Sequence, residues 1–322
     1  MPSRGRVVAP VLVAAFFLAI GPAQGQAYPT KPIRFVSMGL VGGGTDFAAR
    51  LIAQELTRAL GQTVVVDNRA GEVVPADTVA KSPPDGYTIL MNGSSLLFLP
   101  LMREKVPYDV VKSFAPITLA HQSPTVLVVH PQFPAKSVAD LIALAKAKPG
   151  ELDYGSAGTG SSTHLAAQLF KVMAGVNVVH VPFKGSSASL TALMGNHVKY
   201  MFGTPGSVAP HIASGRLRAL AVTTLKPTAL FPALPTVAAS GLPGYEMVST
   251  NGVLAPAGTP AAIINTLNRE IVQILHMKRI KEAFFNAGSE VIGSSPEEFS
   301  RTIKSEIAKW GKIIKDAAIK AD

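Results

Sequence analysis

Four short stretches carry the residue types that hold small anions. Gly42-Gly43-Gly44-Thr45-Asp46 and Tyr154-Gly155-Ser156-Ala157-Gly158-Thr159-Gly160-Ser161-Ser162-Thr163-His164 are rich in glycine and hydroxyls. Gly93-Ser94-Ser95 and Val181-Pro182-Phe183-Lys184-Gly185-Ser186-Ser187 are shorter versions. Glycine lets backbone N–H groups turn toward one ligand, and a helix that starts there adds unpaired amides and the positive end of its dipole. Such turns suit a carboxylate or a phosphate. Lys184 either pairs with the anion or stays solvated beside its turn. His164 either packs into a helix start or faces the ligand. Asp46 is expected to cap a helix, or to accept a bond from a hydroxyl, an ammonium or water.

Other chemistries lack their signatures. No Gly-Lys-Ser/Thr follows the first loop, the second does not complete Gly-x-Gly-x-x-Gly, and Gly-x-Ser-x-Gly is missing. The seven histidines form no His-x-x-x-His or His-Glu-x-x-His pattern, so neither a metal nor a cofactor is expected. An exported hydrolase using a serine such as Ser161 is the alternative of a different class.

The elements that position these loops alternate. Strands are expected at Ile33–Val36, Thr63–Val66, Tyr87–Met91, Phe114–Ala120, Thr125–Val129, Leu152–Tyr154, Val176–Val181, Val198–Phe202 and Leu217–Thr223. A helix from about Thr45 places Phe47, Leu51, Ile52, Leu56 and Leu60 on one face, with Gly61 as its stop. Ser137 and Asp140 resemble a capping box. Further helices are expected over His164–Ala174 and Ser187–Met194, and along the stripes Ile264/Leu267/Ile271/Ile274 and Phe299/Ile303/Ile307. Strands alternating with helices argue for α/β architecture with parallel sheets. Crossings near Ser123-Pro124 and Ser249–Gly252 would set a middle unit apart, with a ligand cleft between the two parts.

Composition narrows the class. The chain has 322 residues, enough for two domains, with 48% hydrophobic and 16% charged residues, which excludes a disordered chain. Zero cysteines exclude a disulfide scaffold and a thiolate nucleophile. The net charge of +10 is scattered and not interleaved with aromatics, so it suits small anions and not nucleic acid.

Residues 1–27 read as a secretory signal peptide. Arg4 and Arg6 precede the uncharged run Val7–Ile20, Gly21-Pro22 breaks it, and Gly25-Gln26-Ala27 places small residues at a cleavage site. The run is too short to span a membrane comfortably. The expected address is the periplasm.

From Tyr28 onward the chain resembles the Bug-type periplasmic solute-binding receptors of tripartite tricarboxylate transporters. The resemblance rests on Tyr28-Pro29-Thr30-Lys31-Pro32-Ile33-Arg34, Gly42 to Asp46 with Ala49-Arg50, Pro84-Asp85-Gly86-Tyr87-Thr88, Tyr154-Gly155-Ser156 to His164-Leu165, Val181-Pro182-Phe183-Lys184-Gly185, Leu217 to Thr223 and Ala255-Pro256-Ala257-Gly258-Thr259-Pro260. It implies a two-lobed, type II flytrap fold, each lobe a mainly parallel sheet flanked by helices, with two crossings. Lobe 1 would hold 28–124 plus 250–322, and lobe 2 would hold 125–249. It further implies a monomer that binds an organic carboxylate and passes it to membrane permease subunits; a receptor feeding a signalling partner is the alternative. The expected ligand residues are Gly42, Gly43, Gly44, Thr45, Asp46, Ser94 and Ser95 from one lobe. Ser156, Gly158, Thr159, Gly160, Ser161, His164, Phe183, Lys184 and Gly185 come from the other. The chain departs from the family's usual pattern at Met38–Val41, Ala70–Pro75, Gly203 and Asn251.

Overall fold

The computed structural model describes residues 28–38, 41–69, 73–316 and 319. The expected signal peptide lies outside these residues, as do Gly39, Leu40 and residues 70–72 of the two departing segments. In chain order the elements begin with β1 (Ile33–Ser37), α1 (Gly44–Leu60), β2 (Val64–Asn68), α2 (Val74–Ala80), β3 (Thr88–Met91), α3 (Ser94–Met102) and β4 (Phe114–Pro124). They continue with β5 (Val126–Val129), α4 (Val138–Ala147), β6 (Asp153–Ser156), α5 (Ser162–Ala174), β7 (Val179–Pro182), α6 (Ser186–Met194), β8 (Tyr200–Gly203), α7 (Pro205–Ala213) and β9 (Arg218–Val222). The chain ends with β10 (Val248–Pro256), α8 (Ala261–His276), α9 (Lys278–Asn286), β11 (Glu290–Val291) and α10 (Pro296–Asp316).

Local chemistry sets the helix limits. Gly61 adopts φ 64° after α1 and Gly175 φ 60° after α5, the left-handed end that glycine tolerates best. Ser137 accepts the Asp140 amide at 3.1 Å at the start of α4, as its spacing suggests. The α8 stripe is buried as expected, and on α10 the stripe extends from Phe299 and Ile303 to Trp310 and Ile314. On α1 the buried face is Ala48, Ala49, Ile52, Ala53 and Leu56, whereas Phe47 stays exposed, contrary to the sequence expectation. The helices α3 and α7 go beyond that expectation: α3 is apolar all round with Pro100 inside it, and α7 contains Pro205 and Pro210.

Two mixed sheets result. The first has the order β11-β4-β10-β3-β1-β2, and the second β7-β6-β8-β5-β9. β1 pairs in parallel with β2 and β3, and β6 with β7 and β8. The remaining pairs, β10 with β3 and β4, β11 with β4, and β5 with β8 and β9, are antiparallel. The expectation of mainly parallel sheets is thus corrected. The chain passes from β4 straight into β5 and returns from the second sheet into β10, and these two strands, the first after each passage, run antiparallel to both of their neighbours.

One apolar cluster lies under α1, α8 and α9 and includes Phe35, Ile52, Ile89, Leu267, Ile271 and Phe284. Another is continuous across both sheets: Phe98, Leu99 and Trp310 belong to it together with Tyr154, Phe170, Phe202 and Tyr245. Trp310 is fully buried, its ring centre 5.3 Å from that of Phe98.

Thr223 ties the two inter-sheet passages together. Its hydroxyl accepts the Thr125 amide at 2.8 Å and lies 2.6 Å from the Met247 carbonyl, to which it donates. The Thr223 amide donates to the Thr125 carbonyl, and the Met247 amide to the Thr223 carbonyl, both at 3.0 Å. Thr223→Val keeps the shape and strands the buried Thr125 N–H, which costs about 1–3 kcal/mol. Urea unfolding should therefore show a lower midpoint with an unchanged slope; an unchanged midpoint would contradict this role.

Candidate functional site at the helix starts

Two helix starts from the first sheet stand side by side. In α1 the first intrahelical donor is Phe47, bonding Gly43 O at 2.9 Å, so the amides of Gly44, Thr45 and Asp46 precede the ladder. A Cβ on Gly93, which precedes α3, would lie 3.7 Å from Thr45 Oγ1. The first loop and the Gly93-Ser94 turn therefore meet. Ser94 Oγ lies 2.7 Å from Ser249 Oγ, and Asn251 Nδ2 donates to Ser249 Oγ at 3.2 Å. Ser249 and Asn251 belong to β10, an element whose Ser-Thr-Asn-Gly run hides it from pattern reading.

Asp46 resolves as a structural carboxylate. It is 2% exposed, accepts the Gly42 amide at 2.8 Å and pairs with Arg50 Nε at 2.8 Å. Burial pushes its pKa up, but Arg50, the Gly42 amide and Asn68 outweigh that and hold it below the usual carboxylate range. It does not cap from the N-cap position, which Gly43 occupies; it reaches back from the first turn.

The second sheet brings the Ser156–His164 and Phe183–Gly185 turns together. The Phe183 amide donates to Ser156 O at 3.1 Å, and the Gly185 amide to Ala157 O at 3.2 Å. Much of this loop's polarity is spent internally. Ser161 Oγ accepts the His164 amide at 3.2 Å and donates to Gly158 O at 2.6 Å. It caps α5, whereas the sequence expectation has it meeting the ligand. The Gly160 amide donates to His164 Nδ1 at 3.2 Å, and the Gly158 amide to Ser156 Oγ at 3.2 Å. Thr159 and the amides of Ser162 and Thr163 stand outside these bonds and precede the α5 ladder. Lys184 is exposed.

Gly160 has a different task from the one its loop suggests. At φ 81° a Cβ there would come within 3.2 Å of Met102 Cε and 3.3 Å of Leu99 Cδ2. The second-sheet loop therefore packs directly on α3 of the first sheet. A recess of about 420 Å³ near Leu119, Ser294 and Arg301 is separate and holds none of the expected residues.

His164 packs inward. It is 2% exposed, its ring stacks on His180 at 4.3 Å between centres, and His180 stacks on Tyr154 at 4.9 Å. Ser156 Oγ lies 2.7 Å from His180 Nε2, and Ser156 is fully buried. Ser161 Oγ has a peptide oxygen as its acceptor and lies 2.9 Å from Thr163 Oγ1. Among the described residues no group of three His, Asp or Glu could hold a metal ion.

Buried imidazoles make stability depend on pH. Burial pushes His121 down to about 4, and burial with the neighbouring His180 pushes His164 to about 3. Unfolded imidazoles titrate near about 6.5. Below that value the unfolded chain binds more protons than the folded one, so the stability from burying neutral rings is complete above it. It is lost as pH falls toward the folded values. Unfolding free energy should decline between about pH 7 and 4.5, and His121→Leu should flatten the decline. Parallel profiles for the two proteins would refute this.

Comparison with known proteins places the chain. The family model described as the tripartite tricarboxylate transporter family receptor matches residues 48–319. The protein BugT of Bordetella pertussis is 36% identical over 93% of this chain and 93% of its own length. The structure of R. palustris Rpa4515 with adipate is 37% identical, covers 92% of this chain and 100% of that one, and has a TM-score of 0.84. MatC from Rhodopseudomonas palustris with bound malate is 27% identical, covers 89% and 100%, and has a TM-score of 0.81. With two sheets joined through paired crossings and a family match over most of its length, this chain belongs to the tripartite tricarboxylate transporter receptor family.

Proposed function

We propose that this protein captures a small organic carboxylate between two lobes, 28–124 plus 250–322 and 125–249, and delivers it to the permease subunits of a tripartite tricarboxylate-type transporter. The observation that carries this reading is the set of helix-start amides, in each of the two sheets, that no side chain caps. Amides of Gly44 and Thr45 in the first sheet, and of Thr159, Ser162 and Thr163 in the second, precede the helical ladders, and the second-sheet loop packs on α3 through Gly160. Helix-start amides match a carboxylate in charge and geometry without a cationic side chain. The adipate and malate held by the two relatives support the same ligand class. As a solute receptor the protein acts as a monomer in the periplasm, after removal of residues 1–27.

Adipate and malate, offered with their dimethyl esters as controls, test the ligand class. A bound acid at about one hundred times its Kd stabilises by about 2.7 kcal/mol, whereas the esters should not raise the Tm. Gly44→Pro, which fits the first helical position and removes its N–H, should weaken the better acid roughly tenfold, and Lys184→Ala far less. Equal shifts from acids and esters, or no shift from any member of a wider panel of small acids, would reject the reading.

Export is tested separately. Mass spectrometry of the periplasmic fraction should find a chain beginning at Tyr28; recovery only in membranes with Met1 intact would overturn the expected cleavage.

A further inference from the structure

His121 is a buried polar side chain with no partner. It is 4% exposed, and among the described residues neither ring nitrogen has a hydrogen-bond partner. A buried polar group of this kind costs stability unless something satisfies it. Its place in the fold indicates what could. His121 lies opposite Asn251 in the β4–β10 ladder, so the two side chains share one face of the first sheet. The last pairing of β3 with β10 is Met91 with Val253, which puts Asn251 and His121 beyond the carboxyl end of β3. That is where α1 and α3 begin.

Two chains of contact lead from the cross-strand pair His121 and Asn251 to those helix starts, one from each residue. Through side-chain polar groups the path runs from Asn251 to Ser249 and Ser94 at the first position of α3. Through rings it runs from His121 to Phe284 at 4.9 Å, and from Phe284 to Phe47 in the first turn of α1 at 5.9 Å. Arg50 and Arg279 on the surrounding helices are held by the buried carboxylates of Asp46 and Glu55. Neither is free to neutralise a second anion.

We propose that His121 and Asn251 form a subsite for an uncharged hydrogen-bonding group, a hydroxyl or a carboxamide, on a ligand whose carboxylate meets the α1 helix start. A neutral imidazole offers one donor and one acceptor, and a carboxamide side chain offers both as well. Hydroxyl and carboxamide groups match that pair. A second carboxylate only accepts, and its charge would be desolvated beside neutral partners. The proposal rests on the carboxylate-receptor reading and adds to it the kind of acid preferred. Desolvation holds His121 neutral at physiological pH, which agrees with the chemistry assigned to it.

Matched probes decide it. Succinate, malate and succinamate form one series; adipate, 6-hydroxyhexanoate and adipamate form a longer one. Calorimetry should find the hydroxy or carboxamide member of at least one series binding roughly tenfold more tightly than its plain dicarboxylate, because a site built for hydrogen bonding rejects ligands that leave it unpaired. His121→Phe and Asn251→Leu, each checked for an unchanged circular dichroism spectrum, should each remove that preference while changing dicarboxylate affinity less than threefold. In 15N-histidine-labelled protein the His121 ring signals should move with succinamate or malate. Binding of plain dicarboxylates as tightly as their polar analogues, or a preference that survives both variants, overturns the subsite and leaves the receptor reading standing. If no probe binds, the subsite is overturned, and the wider panel of small acids decides the receptor reading. If both variants unfold, the wild-type series and the ring signals are sufficient to support or overturn the subsite without them.

Discussion

A helix cannot bond its own first amides, and in each sheet of this protein two helix-starting turns lie side by side. β1, β3 and β6 each end in a turn that starts a helix, and β7 does the same through Gly185. Each start presents N–H groups that need an acceptor from outside the helix. Some are answered internally, as when Ser161 accepts the His164 amide. Those of Gly44, Thr45, Ser162 and Thr163 precede their ladders without such a cap. A carboxylate supplies acceptors and negative charge together, so the demand of the fold and the chemistry of the proposed ligand coincide.

Bringing two such groups of amides to one ligand requires two sheets held at a controlled separation. The Thr223 hydroxyl and the adjoining backbone bonds fasten both passages at a single point. Away from it, the two parts touch where Gly160 meets α3 and Gly206 lies close to the Ala287 carbonyl, and through the Thr228–Glu290 and Lys309–Glu246 side-chain bonds. Glycine at these positions lets backbones approach without side chains between them. The apolar cluster running from Trp310 to Tyr245 adds a continuous interior.

Much of this is legible in the residues. Glycine stops, serine caps and the apolar periods of α1, α5, α8 and α10 point to elements close to those observed, because local chemistry and tertiary packing agree there. Reading fails where packing overrides pattern. β10 carries Ser249, Thr250, Asn251 and Gly252, a run with no strand signature; its pairing with β4 and β3 makes it a strand. α3 is buried all round, so it has no polar face to betray its period. At the candidate site, residue types point to turns but not to how each group in them is spent. Ser161 and the Gly160 amide are consumed by the α5 start, and Asp46 by Arg50, none of which composition can reveal. His121 gives no signal of its own, because a lone histidine in an apolar stretch reads as core.

The central claim is that helix starts from both sheets hold the same ligand. Residue-resolved amide exchange, with and without a saturating carboxylate found by screening, tests this most directly. The account predicts that added ligand slows exchange at Gly44 and Thr45 and, in the same titration, at Thr159, Ser162 and Thr163. Protection confined to one of these groups, or a ligand that binds while leaving both unchanged, would contradict it.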